Sequence, residues 1–171
     1  EECLAAGDYA DAEARRADTA RRGKLLGLGT SNSVTAVAST NFEHVEVRFD
    51  SAGGITLLSG AMDHGQGHAT TFKQVLADKL GIDGDNILYR YGDTDKVATG
   101  VGTFNARCAV FVGSAVAIAA DKIIDKGKRI AAHLLETSEG DIEFADGKFT
   151  VAGTDRSIDL AEVAKTAFQK P

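Results

Sequence analysis

Ile55-Thr56-Leu57-Leu58-Ser59, then Gly60-Ala61-Met62-Asp63-His64-Gly65-Gln66-Gly67, then the run from His68 to Leu80 closed by Gly81, is the stretch on which the fold turns. Its first part is rich in β-branched and apolar residues, the composition of a strand. Its last part sets Phe72, Val75, Leu76 and Leu80 at helical spacing, with glycine where a C-cap is expected. A strand, a glycine-rich turn and a helix therefore follow one another. Upstream, Leu25 to Ser39 and Val45 to Phe49 read as two more strands, broken by Asn41, Asp50-Ser51 and Gly53-Gly54 in the manner of an antiparallel meander. Further upstream, Asp8 to Arg22 is a charged run without a breaker before Gly23, the pattern of a surface helix.

Downstream, Ile87 to Tyr91 reads as a short strand and Gly92 to Gly102 as a loop without apolar periodicity. From Ala106 to about Glu136 no proline interrupts a long helix, which would reach about 45 Å if unbroken; a break near Gly127 is expected. Val110, Gly113, Ser114, Ala117, Ala120, Ile123 and Ile124 mark its inner face, with the first half buried on nearly all sides and Lys122, Asp125, Lys126, Lys128 and Arg129 on the solvent side of the second half. Ile142 to Phe144 and Lys148 to Val151 flank Asp146-Gly147, a strong hairpin signal. Ile158-Asp159-Leu160 is expected to open a last helix, capped by Asp159 and ending near Gln169. The expected fold is α+β (α/β), a mixed or antiparallel sheet packed against a long helix and shorter ones, as a single domain over residues 1–171.

The chain carries a formal net charge of -6, so it lacks the overall basic field that drives nucleic-acid binding, and no nucleic-acid partner is expected. Its longest apolar run, Ala109 to Ala120, is shorter than the roughly 20 residues that span a bilayer, so no membrane span is expected. Two distant cysteines, Cys3 and Cys108, have no CxxC spacing, which points to a reducing compartment and a cytoplasmic location. The chain begins with Glu1 and soon enters a helix, as an excised part of a longer polypeptide would; a trimmed exported precursor gives the same picture.

Two segments carry chemistry. In Gly65-Gln66-Gly67-His68, a glycine turn running into a helix start presents backbone N–H groups at the positive end of the helix dipole, an anion cradle. Read alone, the same segment is also a plain connector whose glycines supply positive φ. Gly100 to Arg107 repeats the arrangement before the long helix: Arg107 adds a positive fork suited to phosphate, while Thr103 and Asn105 add side-chain donors and a cap. Two such turns suit a ligand with more than one phosphate, although neither matches a Walker or Rossmann fingerprint. No metal site is expected from His64 and His68, because Gly65 and Gly67 intervene where a metalloprotease needs helix and glutamate. Asp93 and Asp95 read as an Asx turn, Cys108 as packing, and no catalytic nucleophile and base pair stands out.

Taken together, Gly65-Gln66-Gly67-His68-x-Thr70-Thr71-x-x-Gln74, Leu80-Gly81-Ile82, Gly92-Asp93-Thr94-Asp95 and Gly100-x-Gly102-Thr103-x-x-x-Arg107 resemble the large, molybdopterin-binding subunit of the molybdenum hydroxylases, the family of xanthine dehydrogenase, aldehyde oxidase and aerobic carbon monoxide dehydrogenase. The resemblance implies a molybdenum-cofactor-binding-domain-like fold. It also implies that Gly65, Gln66, Gly67 and His68, with Thr103, Phe104, Asn105, Ala106 and Arg107, bind the pterin and phosphates of a molybdopterin dinucleotide carrying molybdenum, the cytosine dinucleotide in bacterial members. The parent would oxidise an aldehyde, a purine-like heterocycle or carbon monoxide with water as oxygen source. Its partners would be the remaining segments of the large subunit and iron-sulfur and flavin subunits or domains. The chain departs from the family at Gly84 and Ala98, near which proline is common, and at Ala106, where a serine hydrogen bond is lost or taken over by Asn105. Segments that complete the family's active site have no counterpart, so the isolated chain is expected to be inactive. The alternative is a non-catalytic phosphate- or nucleotide-binding module.

Overall fold

The computed structural model describes residues 2–34 and 42–169. The chain divides into two compact units, Glu1–Val34 and Thr35–Pro171. In the first, helices α1 (Glu2–Ala6) and α2 (Ala12–Arg21) are separated by a 3-10 turn at Tyr9–Asp11. Asp8, expected to begin a continuous helix, is left-handed at φ 48°, and the Arg15 guanidinium donates to the carbonyls of Gly7 and Asp8 at 2.9 and 2.7 Å. Gly23 ends the helix at φ 70°, with its N–H on the Ala20 carbonyl. Lys24 to Val34 forms no strand, which corrects that part of the meander; the remainder of the expected strand, beyond Val34, lies outside the described residues up to Ser39.

In the second unit, β1 (Val45–Phe49), β2 (Ile55–Ser59) and β3 (Ile87–Tyr91) form one sheet in that order. β1 pairs antiparallel to β2, from Val45 opposite Ser59 to Phe49 opposite Ile55. Asp50 shapes their turn, its carboxylate accepting from the N–H groups of Ala52 and Gly54. β3 pairs parallel to β2, so the sheet is mixed. Parallel neighbours need a crossover, and α3 (His68–Leu80) supplies it. Phe72, Leu76 and Leu80 are buried as the spacing predicts, Val75 is only partly buried and Ala77 joins the buried face. The N–H groups of Gly81 and Ile82 both reach the Ala77 carbonyl.

α4 runs from Cys108 to Leu134 without the expected break. Gly127 has another reason: a Cβ there would meet the Phe149 ring, whose Cε1 would stand 2.9 Å away. The buried face of α4 is only partly the expected one: Ala120 is buried and Ile123 and Ile124 pack against the core as expected, but the rest of the stripe differs. Cys108, Val112, Val116, Ala120, Gly127, Ala131 and Ala132 turn inward, whereas Val110 is 49% exposed and Ile118 55%. The first half contains so many small apolar residues that periodicity does not mark a single inner stripe; packing against α3 and β1 selects one.

The second sheet joins β4 (Ile142–Ala145), β5 (Lys148–Val151) and β6 (Ser157–Asp159), all antiparallel. Asp146 and Gly147 connect β4 to β5 at φ 48° and 74°, the two positive angles of a type I′ turn. Ser157 to Asp159 is a short strand that the spacing does not show, and α5 spans Leu160–Gln169, starting directly after the expected cap position Asp159 and ending where expected. Asp159 faces Lys148 across the ladder at 3.6 Å. One apolar cluster unites Leu57, Phe72, Leu80, Val112, Val116, Ile142, Phe149 and Val163, so α4 has the two sheets' apolar residues in a common core.

Candidate functional site

The two glycine-rich turns meet. Gly60 and Gly100 are so close that a Cβ on either would lie 2.5 Å from the other's Cα. Real Cβ atoms do not approach that near, so glycine at both positions is what lets the backbones touch. Beside this contact, the Thr103 hydroxyl donates to the Met62 carbonyl at 2.5 Å and lies 3.3 Å from Cys108 Sγ. The contact and the bridge place one turn over the other. Between them is a cleft of about 420 Å³, lined by His64, Gln66, His68, Thr71 and Phe72 on one side and Thr103, Phe104, Asn105, Ala106, Arg107 and Cys108 on the other.

Within the first turn, Gly65 and Gly67 adopt φ 107° and 72°, and Gly67 leads directly into α3. The cradle of N–H groups expected there exists, but the chain fills much of it itself. Asp63 Oδ1 accepts from Gly65 N–H at 2.7 Å and Oδ2 from His68 N–H at 2.9 Å. The Gly65 amide, supported by those of His68, Gln66 and Gly67, holds the Asp63 carboxyl below its ordinary 3.8. Gln66 turns its amide oxygen back to His64 N–H at 2.5 Å. His68 is 5% exposed, its ring lies 4.9 Å from that of Phe72, and its buried Nδ1 has no partner among the described residues.

A titration follows from Asp63. Its folded value is depressed, so the stabilisation is present above the ordinary value of 3.8 and is lost as pH falls through the lower folded value. Amide-exchange protection at Gly65 and His68 should therefore fall on acidification below 3.8, and Asp63→Asn should flatten that dependence. Equal acid dependence in both proteins would exclude the carboxylate as its source.

The second turn is strained. Asn105 and Ala106 stand at φ 45° and 51°, a left-handed conformation that costs roughly 1–2 kcal/mol for a residue such as alanine. Asn105 gives α4 no side-chain cap; Arg107 occupies that position, also without one. Arg107 does not extend a free fork into the cleft. Its side chain is fully buried between the Phe104 and Phe111 rings, each centred 5.3 Å from Cζ. Nη1 donates to Glu43 Oε2 and to the Gly102 carbonyl at 2.6 Å, and Nη2 donates to the Phe42 carbonyl at 2.6 Å. Sequence reading had no signal for Glu43, which lies 64 positions from its partner.

Asp93 makes the expected Asx turn, accepting from Asp95 N–H at 3.0 Å, and Lys96 beside it holds its carboxyl low. Burial pushes the Tyr89 hydroxyl up to about 12, so it remains a neutral phenol against Phe72, 6.1 Å between ring centres. Both cysteines are free thiols, Cys3 exposed and Cys108 buried. No helix among the described residues is long and apolar enough to cross a membrane.

Residues 2–171 match the molybdopterin cofactor-binding domain family. The chain belongs to that family. As a molybdopterin cofactor-binding domain it is 35% identical over 149 residues to the carbon monoxide dehydrogenase large chain of Afipia carboxidovorans, covering 86% of this chain and 18% of that protein. It is 40% identical over 168 residues to the nicotine 6-hydroxylase large subunit of Paenarthrobacter nicotinovorans, covering 90% of this chain and 21% of that one. The crystal structure of the Cu,Mo-CO dehydrogenase in its carbon monoxide reduced state aligns with 99% of this chain and 24% of its own at a TM-score of 0.74 and 30% identity. The α+β fold is thus that of a known molybdenum enzyme, and a molybdenum pterin is the cofactor of the parent. The domain spans about a fifth of the length of these curated relatives.

Proposed function

We propose that this domain is the part of a molybdenum hydroxylase large subunit whose two glycine-rich turns hold the pterin and dinucleotide phosphates of the cofactor. The observation that carries this reading is the convergence of both turns on one cleft. The cleft suits such a group: it has the N-terminal end of α3 on one wall, the buried unpartnered His68 Nδ1, and Phe104, 43% exposed, as a flat apolar surface for a ring. Gly65, Gln66, Gly67 and His68 would contact the ligand from one side, and Thr103, Phe104, Asn105 and Ala106 from the other. Arg107 would act from beneath the turn as a brace, since Glu43 balances its charge and its terminal nitrogens already have protein acceptors.

When bound, the molybdenum centre supplies two-electron oxidation of a substrate carbon with water as the source of oxygen. The domain's own work is binding and orientation. Asp63 keeps the first turn closed around itself, Thr103 ties the second turn to it, and Phe104 shields one edge of the cleft. The cofactor is the cytosine dinucleotide form, and the parent oxidises carbon monoxide, an aldehyde or a purine-like heterocycle in the cytoplasm, delivering electrons to iron-sulfur and flavin partners. Relatives named for carbon monoxide and for nicotine support that substrate range.

The parent protein, purified from a host that makes the cofactor, is expected to carry stoichiometric molybdenum and pterin and to release a cytosine nucleotide on acid hydrolysis. A parent with neither metal nor pterin would overturn the reading; a different nucleotide would overturn only the cytosine assignment.

A further inference from the structure

We propose that Glu43 is a positioning residue for the cofactor cleft, acting through Arg107 and the Val101 amide to hold the strained Thr103–Ala106 turn in its binding shape. The proposal rests on the reading of the cleft as a cofactor cradle.

Glu43 precedes β1 and touches three parts of the second turn's support. Its Oε2 accepts from Arg107 Nη1, and its Oε1 accepts from Val101 N–H at 3.1 Å and from His44 N–H at 3.2 Å. Gly100 leaves room for that carboxylate: a Cβ there would lie 3.2 Å from Oε1. One carboxylate thereby gathers the segment before β1, the loop at Gly100-Val101 and the start of α4. The pair is closed to solvent, with Arg107 0% and Glu43 1% exposed in their side chains. Arg107 then closes the turn, since Nη1 also holds the Gly102 carbonyl and Phe104 and Phe111 flank its guanidinium.

The residues held between these anchors are Asn105 and Ala106, both at positive φ. Asparagine tolerates this conformation, but alanine has no such local preference, so at Ala106 the surroundings must impose it. Among those surroundings, the buried ion pair is the contact with the strongest charge dependence. Removing one partner leaves the other charge buried and uncompensated, and the guanidinium must then rotate or take up water, either of which releases Gly102 and the turn. Glu43 does not line the cleft, so its effect on a ligand there passes through Arg107 and Val101.

The test uses the full-length parent in its native complex, comparing Glu43→Gln, Glu43→Asp and Phe149→Leu, the last a core substitution away from the cleft. Three quantities are read: the rate of molybdenum-pterin loss, the melting temperature, and amide exchange at Val101–Arg107 against Ile142–Val151. Glu43→Gln should release cofactor roughly tenfold faster and speed exchange in Val101–Arg107, leaving Ile142–Val151 protected. Phe149→Leu should lower the melting temperature and leave cofactor loss at the wild-type rate below the transition. Wild-type retention in folded Glu43→Gln, or equal cofactor loss in Phe149→Leu at matched melting temperature, overturns the proposal.

If Glu43→Gln does not accumulate folded, Glu43→Asp decides. It keeps the charge but is one methylene too short to bridge Arg107 and Val101 together, so a release rate raised about threefold is expected; wild-type behaviour overturns the proposal. Absence of molybdenum and pterin from the wild-type parent would sink the cofactor reading instead, while the exchange comparison, which needs no cofactor, would still decide whether Glu43 holds the loop.

Discussion

Replacing Gly60 with valine should push the two turns apart and cost the parent most of its cofactor. Gly60 and Gly100 touch backbone to backbone, with a virtual Cβ on Gly60 2.5 Å from Gly100 Cα and 3.3 Å from its C and N. Overpacking costs about 1–3 kcal/mol when side chains can rotate away. Here the obstacle is main chain, so the upper end applies, about 3 kcal/mol, which corresponds to roughly a hundredfold in an equilibrium constant. Gly60 is absent from the residues at positive φ, so the effect isolates the close approach from backbone strain. Molybdenum and pterin content of the purified parent is the measurement, with the melting temperature alongside. The Thr103 hydroxyl bridge to Met62 should break in the same variant. Undiminished cofactor content would show that the approach of the turns does not form the binding cleft.

The largest effect on stability is expected from Phe149→Ala. Phe149 is fully buried, packs against Phe144 at 4.6 Å between ring centres, and fills the space that Gly127 leaves on α4. Truncating such a ring costs about 3–5 kcal/mol, or roughly 10 °C in melting temperature for a chain of this size. Gly127 supplies a sharper version of the test through a change of sign. With Phe149 present, Gly127→Ala should destabilise, because the added methyl meets the ring. With alanine at 149 the same substitution should stabilise by up to about 1 kcal/mol, the helix preference of alanine over glycine. Thermal unfolding of the four proteins measures this, and additive effects would mean that residues 127 and 149 do not share the space.

These expectations separate two kinds of information. The bounds of α3, His68 to Leu80, followed from four apolar residues at helical spacing and a terminal glycine, and the β4–β5 hairpin from Asp146-Gly147. Both are set by contacts and backbone preferences within a few residues. The start of α5 directly after Asp159 and its end at Gln169 follow the expected cap and bound, whereas β6 carries no local signal, because only pairing with β5 makes Ile158 and Asp159 part of a strand. The buried stripe of α4 is legible only in its second half, where Ala120, Ile123 and Ile124 turn to the core as expected; small apolar residues surround its first half, and the partners that select one face there come from elsewhere in the chain.

The same division runs through the cleft. The sequence by itself determined the family, through several motifs in order, and it determined that two glycine turns each precede a helix, since turn chemistry and helix starts are local. It takes the tertiary structure to bring the turns together at Gly60 and Gly100, to set Asp63 on the first turn's amides, and to pair the Arg107 guanidinium with Glu43. A charge is satisfied by whichever opposite charge the chain path brings near, and 64 residues separate this pair; residue type and local spacing carry no record of that path.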